Sequence, residues 1–164
     1  MSSSLADSPL AAYCAAVEAG DLGRLRACLA PQVTLKSPIT DRFEFVGVDQ
    51  VLDVMADVFA VVSDRRLHEA CGEGRERVLK GGGVVGGVAL EESLHVRLGD
   101  DGRVERIELF IRPLPGLTAL AAALGPRVAR RRGPAQAVAV KAMMAPLAFA
   151  TRHGERAGVR LARP

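Results

Sequence analysis

An α+β fold, with helices laid on one face of a long antiparallel sheet, is predicted by three features of this sequence. Through residue 62 apolar side chains recur at intervals of three and four, the spacing of amphipathic helices. From 63 to 112 they alternate in short segments, the period of strands with one buried face. Between the last two of those segments stands Gly99-Asp100-Asp101-Gly102, residues that tolerate the backbone angles of a hairpin turn. Helices first and strands afterwards is the α+β order.

Leu10, Tyr13, Cys14 and Val17 share a helical face and Gly20-Asp21 ends the run, which places a helix over 6–19. Leu22, Leu25 and Leu29 continue as a shorter helix that Pro31 stops. Val33 and Leu35, closed by Ser37-Pro38, read as a short strand, and Phe43, Phe45 and Gly47 as a second extended piece. Val48, Val51, Leu52, Met55, Val58, Phe59 and Val62 keep helical spacing without a miss, with Asp49, Asp53 and Asp57 opposite. Strands are expected over 65–72, 75–86, 88–98 and 103–112. On the third of these Leu90, Glu92, Leu94, Val96 and Leu98 share one face, and Glu91, Ser93, His95 and Arg97 the other. On the fourth Ile107, Leu109 and Ile111 take the apolar face and Arg106, Glu108, Phe110 and Arg112 the polar one, with Val104 out of register. Gly81-Gly82-Gly83 and Gly86-Gly87 lack the Lys-Ser or Lys-Thr and the helix of a phosphate loop, so they read as places where a sheet bends or bulges.

The 164 residues, 49% hydrophobic and 4% aromatic, suffice for one domain whose core needs neither disulfide nor metal. Disorder, collagen and a disulfide scaffold are excluded by composition, and no apolar stretch reaches the roughly 20 residues of a membrane span. Cys14, Cys28 and Cys71 are odd in number and widely spaced, and no secretory leader is read at the start, so a reducing, cytoplasmic location is expected. Charge divides the chain. Residues 1–125 hold 13 basic and 18 acidic side chains, whereas 126–164 hold nine basic ones and only Glu155. Gly125-Pro126, followed by Arg130-Arg131-Arg132-Gly133-Pro134, marks the boundary, giving a core domain over 1–125 and a basic, Ala-rich helical tail over 126–164.

Ala15-Ala16-Val17-Glu18-Ala19-Gly20-Asp21-Leu22, Phe45-Val46-Gly47, and Asp101-Gly102-Arg103-Val104 with Leu109-Phe110-Ile111-Arg112-Pro113-Leu114 together resemble the nuclear transport factor 2-like superfamily, over roughly residues 8–125. That superfamily includes SnoaL-like polyketide cyclases, limonene epoxide hydrolases and ketosteroid isomerases. The resemblance implies a cone-shaped curved sheet, helices on its concave face and an apolar cavity between them. The segment from Tyr13 to Leu22 is especially similar to the first helix of ketosteroid isomerases, where a tyrosine in the matching place donates a hydrogen bond to the substrate oxygen. That chemistry also requires two carboxylic acids. Ser37 and Leu94 occupy the corresponding places, so steroid isomerisation by that route is not expected.

With Leu94 facing the cavity, alternation brings Glu92 and Val96 to the same face, and Ile107, Leu109 and Ile111 from the neighbouring strand. Tyr13, Ser37 and Glu92 are then the polar groups of an apolar pocket, and Tyr13 and Glu92 the candidate catalytic residues. Glu92 among apolar side chains would have a raised pKa suited to proton transfer. The alternative is a solvated glutamate at the cone rim. His95 lies on the opposite face by parity. The face of His68 is open, and with Cys71 three residues on it makes a poor chelate on a strand. Asp41 and Arg42 are similar only in type to the Asp and Arg of the epoxide hydrolases. No metal and no cofactor are expected.

The functional expectation is a small-molecule-binding SnoaL-like domain, with cofactor-independent isomerisation, cyclisation or hydrolysis as the implied chemistry and a non-catalytic binding or dimerisation module as the alternative. A homodimer through the polar sheet face around Phe110 is expected. Residues 134–150 should form a helix bent or broken near Pro146, docked over the cone mouth or on a partner copy while the tail arginines meet the acidic core. A nucleic acid is not an expected partner, since Phe149 is the tail's only aromatic. A membrane surface is not expected either.

Overall fold

The computed structural model describes residues 9–162. Five helices and six strands follow in the order α1 (Ala11–Ala19), α2 (Leu22–Cys28), β1 (Leu29–Lys36), β2 (Glu44–Val46), α3 (Val48–Val61), β3 (Ser63–Glu73), β4 (Glu76–Val85), β5 (Val88–Leu98), β6 (Val104–Arg112), α4 (Leu114–Arg130) and α5 (Pro134–Ala162). Residues 6–8 of the first expected helix lie outside the described range. Gly20, at φ 67°, closes α1 in the left-handed conformation, its N–H donating to the carbonyls of Ala16 and Val17. Asp21 then caps α2 by accepting from the Arg24 N–H at 3.0 Å.

The strands form one curved, unclosed sheet in the order β2-β1-β6-β5-β4-β3. All pairings are antiparallel except β1 with β6, so the sheet is mixed where the sequence predicted antiparallel pairing throughout. Pairing the first strand with the last requires the long crossover that α3 and the β3–β5 meander supply. Pro31 does not merely stop a helix. It lies inside β1, where the register with β6 shifts between Leu29 and Thr34 and a missing N–H is tolerated. The displaced parity of Val104 is a bulge as well, between Arg97 and Leu98 opposite it.

Gly81-Gly82-Gly83 stand where neighbouring chain approaches closely. A Cβ on Gly81 would stand 2.0 Å from the Arg66 carbonyl oxygen, and one on Gly82 2.5 Å from that of Leu90. Both backbones press against neighbouring strands at distances only glycine permits. The core under the sheet is built from Leu10, Leu25, Val33, Val51, Leu79, Val96 and Ile107, all nearly inaccessible to solvent.

The chain leaves β6 through a cis Arg112–Pro113 peptide bond into α4, which packs on α3 and β5. The expected boundary at 125/126 falls inside α4, and the helical break comes at Arg131-Arg132-Gly133. Of the bend or break expected near Pro146, no break occurs. α5 continues through it, because the surrounding Ala, Met and Leu are strong helix formers and carry the helix across one lost hydrogen bond. α5 folds back on α4, with Thr118 Oγ1 and Thr151 Oγ1 2.6 Å apart and Ala137 buried. Arg127 and Arg131 reach α3, at 3.2 Å and 2.7 Å from the Asp57 carboxylate, and Arg131 also donates to the Asp53 carbonyl.

Candidate functional site

Between the helices and the concave sheet face lies a cavity of about 740 Å³. Its wall is mostly apolar: Val17 of α1, Leu35 of β1, Val54, Met55 and Val58 of α3, Leu90 and Leu94 of β5, Leu109 and Ile111 of β6, and Leu120 and Leu124 of α4. Pro38, Ile39 and Phe43 close one side from the loop after β1. Arg131, Arg132, Gln136 and Val140 close another from the turn and first helical turns of the α4–α5 hairpin.

Tyr13 and Glu92 both line this space. Tyr13 is buried at 2% exposure, and burial, reinforced by the charge of Glu92, pushes its phenol far above the ordinary value. It therefore stays a hydrogen-bond donor at all physiological pH. Among the described residues its hydroxyl has no protein partner, so the bond to Ser37 or Glu92 that a buried hydroxyl would call for is not made. Glu92 sits between Gly81 on β4 and Ile111 on β6. Desolvation raises its carboxyl from 4.5 to about 7, and the positive charge of Arg65 holds the rise back.

Arg65 is the residue that sequence reasoning missed. Asp64, at φ 52°, and the register shift between Ser63 and Arg66 re-aim it toward the cavity, as a bulge does. Its guanidinium donates to the carbonyls of Val17 at 3.0 Å, Phe59 at 3.3 Å and Val62, and lies 4.6 Å from the Phe59 ring centre. One cation thus serves the C-terminal ends of α1 and α3, where the helix dipoles are negative.

The remaining expected residues divide. Ser37, Leu94, Leu109 and Ile111 line the cavity, with the Ser37 hydroxyl accepting from the Ile39 N–H at 3.2 Å. Val96 and Ile107 do not. They share the inward face, but the strand pairs descend from Glu92–Ile111 through Leu94–Leu109 to Val96–Ile107, and at that last step packed core fills the space. His95 is on the outer face against Phe110, ring centres 4.9 Å apart, and His68 is exposed in an outer groove that Phe110 also lines. Among the described residues no three His, Cys, Asp or Glu side chains gather as a metal site would require.

A curved sheet wrapped with helices around a mostly apolar cavity defines a cone-shaped α+β class. Within it, the SnoaL-like domain model matches residues 10–107, and the chain belongs to that family. No curated protein matches it. Among solved structures, a steroid delta-isomerase from Pseudomonas aeruginosa is 29% identical, covers 79% of this chain and 96% of its own, and superposes with a TM-score of 0.68. A protein with a cystatin-like fold from Silicibacter pomeroyi is 28% identical over 73% of this chain and 84% of its own, also at 0.68. A de novo designed protein with a curved β-sheet shares the fold at 18% identity and TM-score 0.56, covering 69% of this chain and 89% of its own. No helix among the described residues is long and apolar enough to cross a membrane.

Proposed function

We propose that the protein binds a small, largely apolar molecule in its cavity and that Glu92 moves a proton on it without a cofactor, in an isomerisation, cyclisation or hydrolysis. One observation supports this most: a carboxyl with a pKa of about 7 shares a mostly apolar cavity with a permanently protonated phenol. Near neutral pH Glu92 is divided between its two forms, so it can take a proton from a carbon or hydroxyl held against it and return it elsewhere. Tyr13 donates to the substrate oxygen on which negative charge grows, in surroundings that weaken competition from water. Ser37 is a further polar group of the pocket. Cys14, Cys28 and Cys71, none of them in a disulfide, fit a reducing, cytoplasmic setting. A homodimer through the outer sheet face is supported by Phe110, 48% exposed amid a mixed polar surface.

A second reading, a ligand-binding module without chemistry, is favoured by Ser37 and Leu94 standing where the isomerase resemblance calls for carboxylates. Deuterium exchange from D₂O into a β,γ-unsaturated steroid ketone separates the two readings. Catalysis predicts exchange with an apparent pKa near 7 that Glu92→Gln abolishes and Tyr13→Phe slows by about a hundredfold, as loss of an oxyanion donor does. Saturable binding of the ketone with no exchange supports the module, and absence of binding removes this substrate class from both.

A further inference from the structure

We propose that the outer face of α5 docks on an anionic lipid surface. α5 turns only a narrow stripe toward α4: Ala137 is buried, and Val140, Met144, Ala148 and Thr151, at intervals of three and four, are half-buried. The opposite side of the same stretch is open. Val138 and Met143 are each 69% exposed, Phe149 65% and Leu147 46%. Together with alanines, Pro146 and one uncharged polar residue, Gln136 at the helix start, these residues cover roughly 200° of the circumference at 3.6 residues per turn, over 135–150, and contain no charge. Lys141, the only charged residue of that stretch, lies at the border of the arc. A soluble surface does not carry a contiguous apolar face of this kind without a use for it.

The charges at its ends identify the occupant. Arg130 and Arg132 stand before the arc and Arg152 and Arg160 after it, all exposed and, with Lys141, without an ion pair among the described residues. Arg127 and Arg131, by contrast, are committed to Asp57. Since both ends of the arc are basic, a second α5 laid on it would bring like charges together whether it ran parallel or antiparallel. An anionic bilayer complements both ends at once. An apolar helical face flanked by unpaired cations is the pattern of a helix lying in the membrane interface. The basic excess of the tail leaves an anionic membrane surface open in the sequence, and docking on the core is the expectation there instead, because nothing in the sequence tells that α4 covers so little of the helix. The stripe facing the protein contributes Val140 to the cavity wall, so docking would set that wall at the lipid surface, where apolar molecules are concentrated.

The test is co-sedimentation of the full chain with vesicles of about three parts phosphatidylcholine to one part phosphatidylglycerol, against pure phosphatidylcholine. Binding to the anionic vesicles is expected, weakened at least about tenfold on pure phosphatidylcholine and in ~1 M NaCl, where the Debye length shrinks to ~3 Å. Met143→Gln/Phe149→Gln, which changes exposed residues to good helix formers, should also weaken it about tenfold with the circular dichroism spectrum unchanged. Arg152→Glu/Arg160→Glu, which leaves the arc intact, should do the same. The proposal is overturned by absence of binding to anionic vesicles. It is equally overturned by binding that the glutamine variant retains and duplex DNA matches, which would be charge attraction alone. A dimer in sedimentation velocity that the glutamine variant dissociates, without vesicle binding, would assign the arc to a second copy and overturn it too.

Discussion

Replacing Glu92 by glutamine tests the cavity's electrostatics without knowledge of any ligand. Glu92 has a carboxyl raised from 4.5 to about 7, chiefly by desolvation, so the folded state binds its proton more tightly than the unfolded state does. The stability this contributes is fully present below the unfolded value of 4.5, is lost as pH rises, and is gone above about 7. Two and a half units at about 1.36 kcal/mol each make the charged form cost the fold about 3 kcal/mol. Glu92→Gln keeps the shape and removes the ionisation. It should match the parent protein near pH 4 and exceed it by up to about 3 kcal/mol near pH 8, a rise in Tm of roughly 6–12 °C for a chain of this size. Urea unfolding followed by circular dichroism across that range measures the difference. A difference that does not change with pH would mean that the carboxylate is solvated at the rim, and the proton-transfer role would lose its physical basis.

Arg65→Ala should cost about 2–4 kcal/mol in urea unfolding, because three carbonyls at the ends of α1 and α3 lose their donor, and Arg65→Lys should recover little of it, since one ammonium cannot reproduce the fork. Gly81→Ala places a Cβ 2.0 Å from the Arg66 carbonyl oxygen and should destabilise by more than about 3 kcal/mol or yield no soluble protein, as expression and thermal melts would report; a melt equal to the parent's would contradict the geometry of this close approach. Tyr13→Phe should leave the Tm within a few degrees, since among the described residues the hydroxyl has no protein partner to lose. Truncation after Arg132 should lower stability or cause aggregation by uncovering α4 and one cavity wall, and a shortened protein as stable and soluble as the parent would show that α5 does not support the domain.

Elements whose physics is local were legible. The Gly20-Asp21 pair ends one helix and starts the next because glycine adopts the left-handed cap and aspartate accepts from the following turn. The alternation from Leu90 to Leu98 is reproduced side chain by side chain, since a strand with one buried face has a period of two and no freedom to slip. Non-local pairing was less so. Nothing near Val33 or Leu35 announces that β1 will lie parallel to a strand some seventy residues on, and Pro31 reads as a stop until the bulge that accommodates it is known. The continuity of α5 through Pro146 is of the same kind: the local cost of proline is real, but the helix formers around it outweigh one hydrogen bond.

The site shows why a pocket is only half readable. Parity could bring Glu92, Leu94, Leu109 and Ile111 to one wall, because it says which face a residue takes. It could not say how far along that face the hollow extends, so Val96 and Ile107, correct in face, belong to the core beyond its floor. Arg65 was invisible for a different reason. Its inward course depends on one left-handed residue and a bulge, and an arginine at the start of a strand ordinarily reads as solvated. Yet that guanidinium does two things: it ties the ends of α1 and α3 together and limits how far the Glu92 carboxyl rises. Because the group that ties these helix ends also tunes the cavity's acid, stability and proton affinity meet at this site: Arg65→Ala removes both the fork and the charge, whereas Arg65→Lys keeps the charge that limits the rise and loses most of the fork.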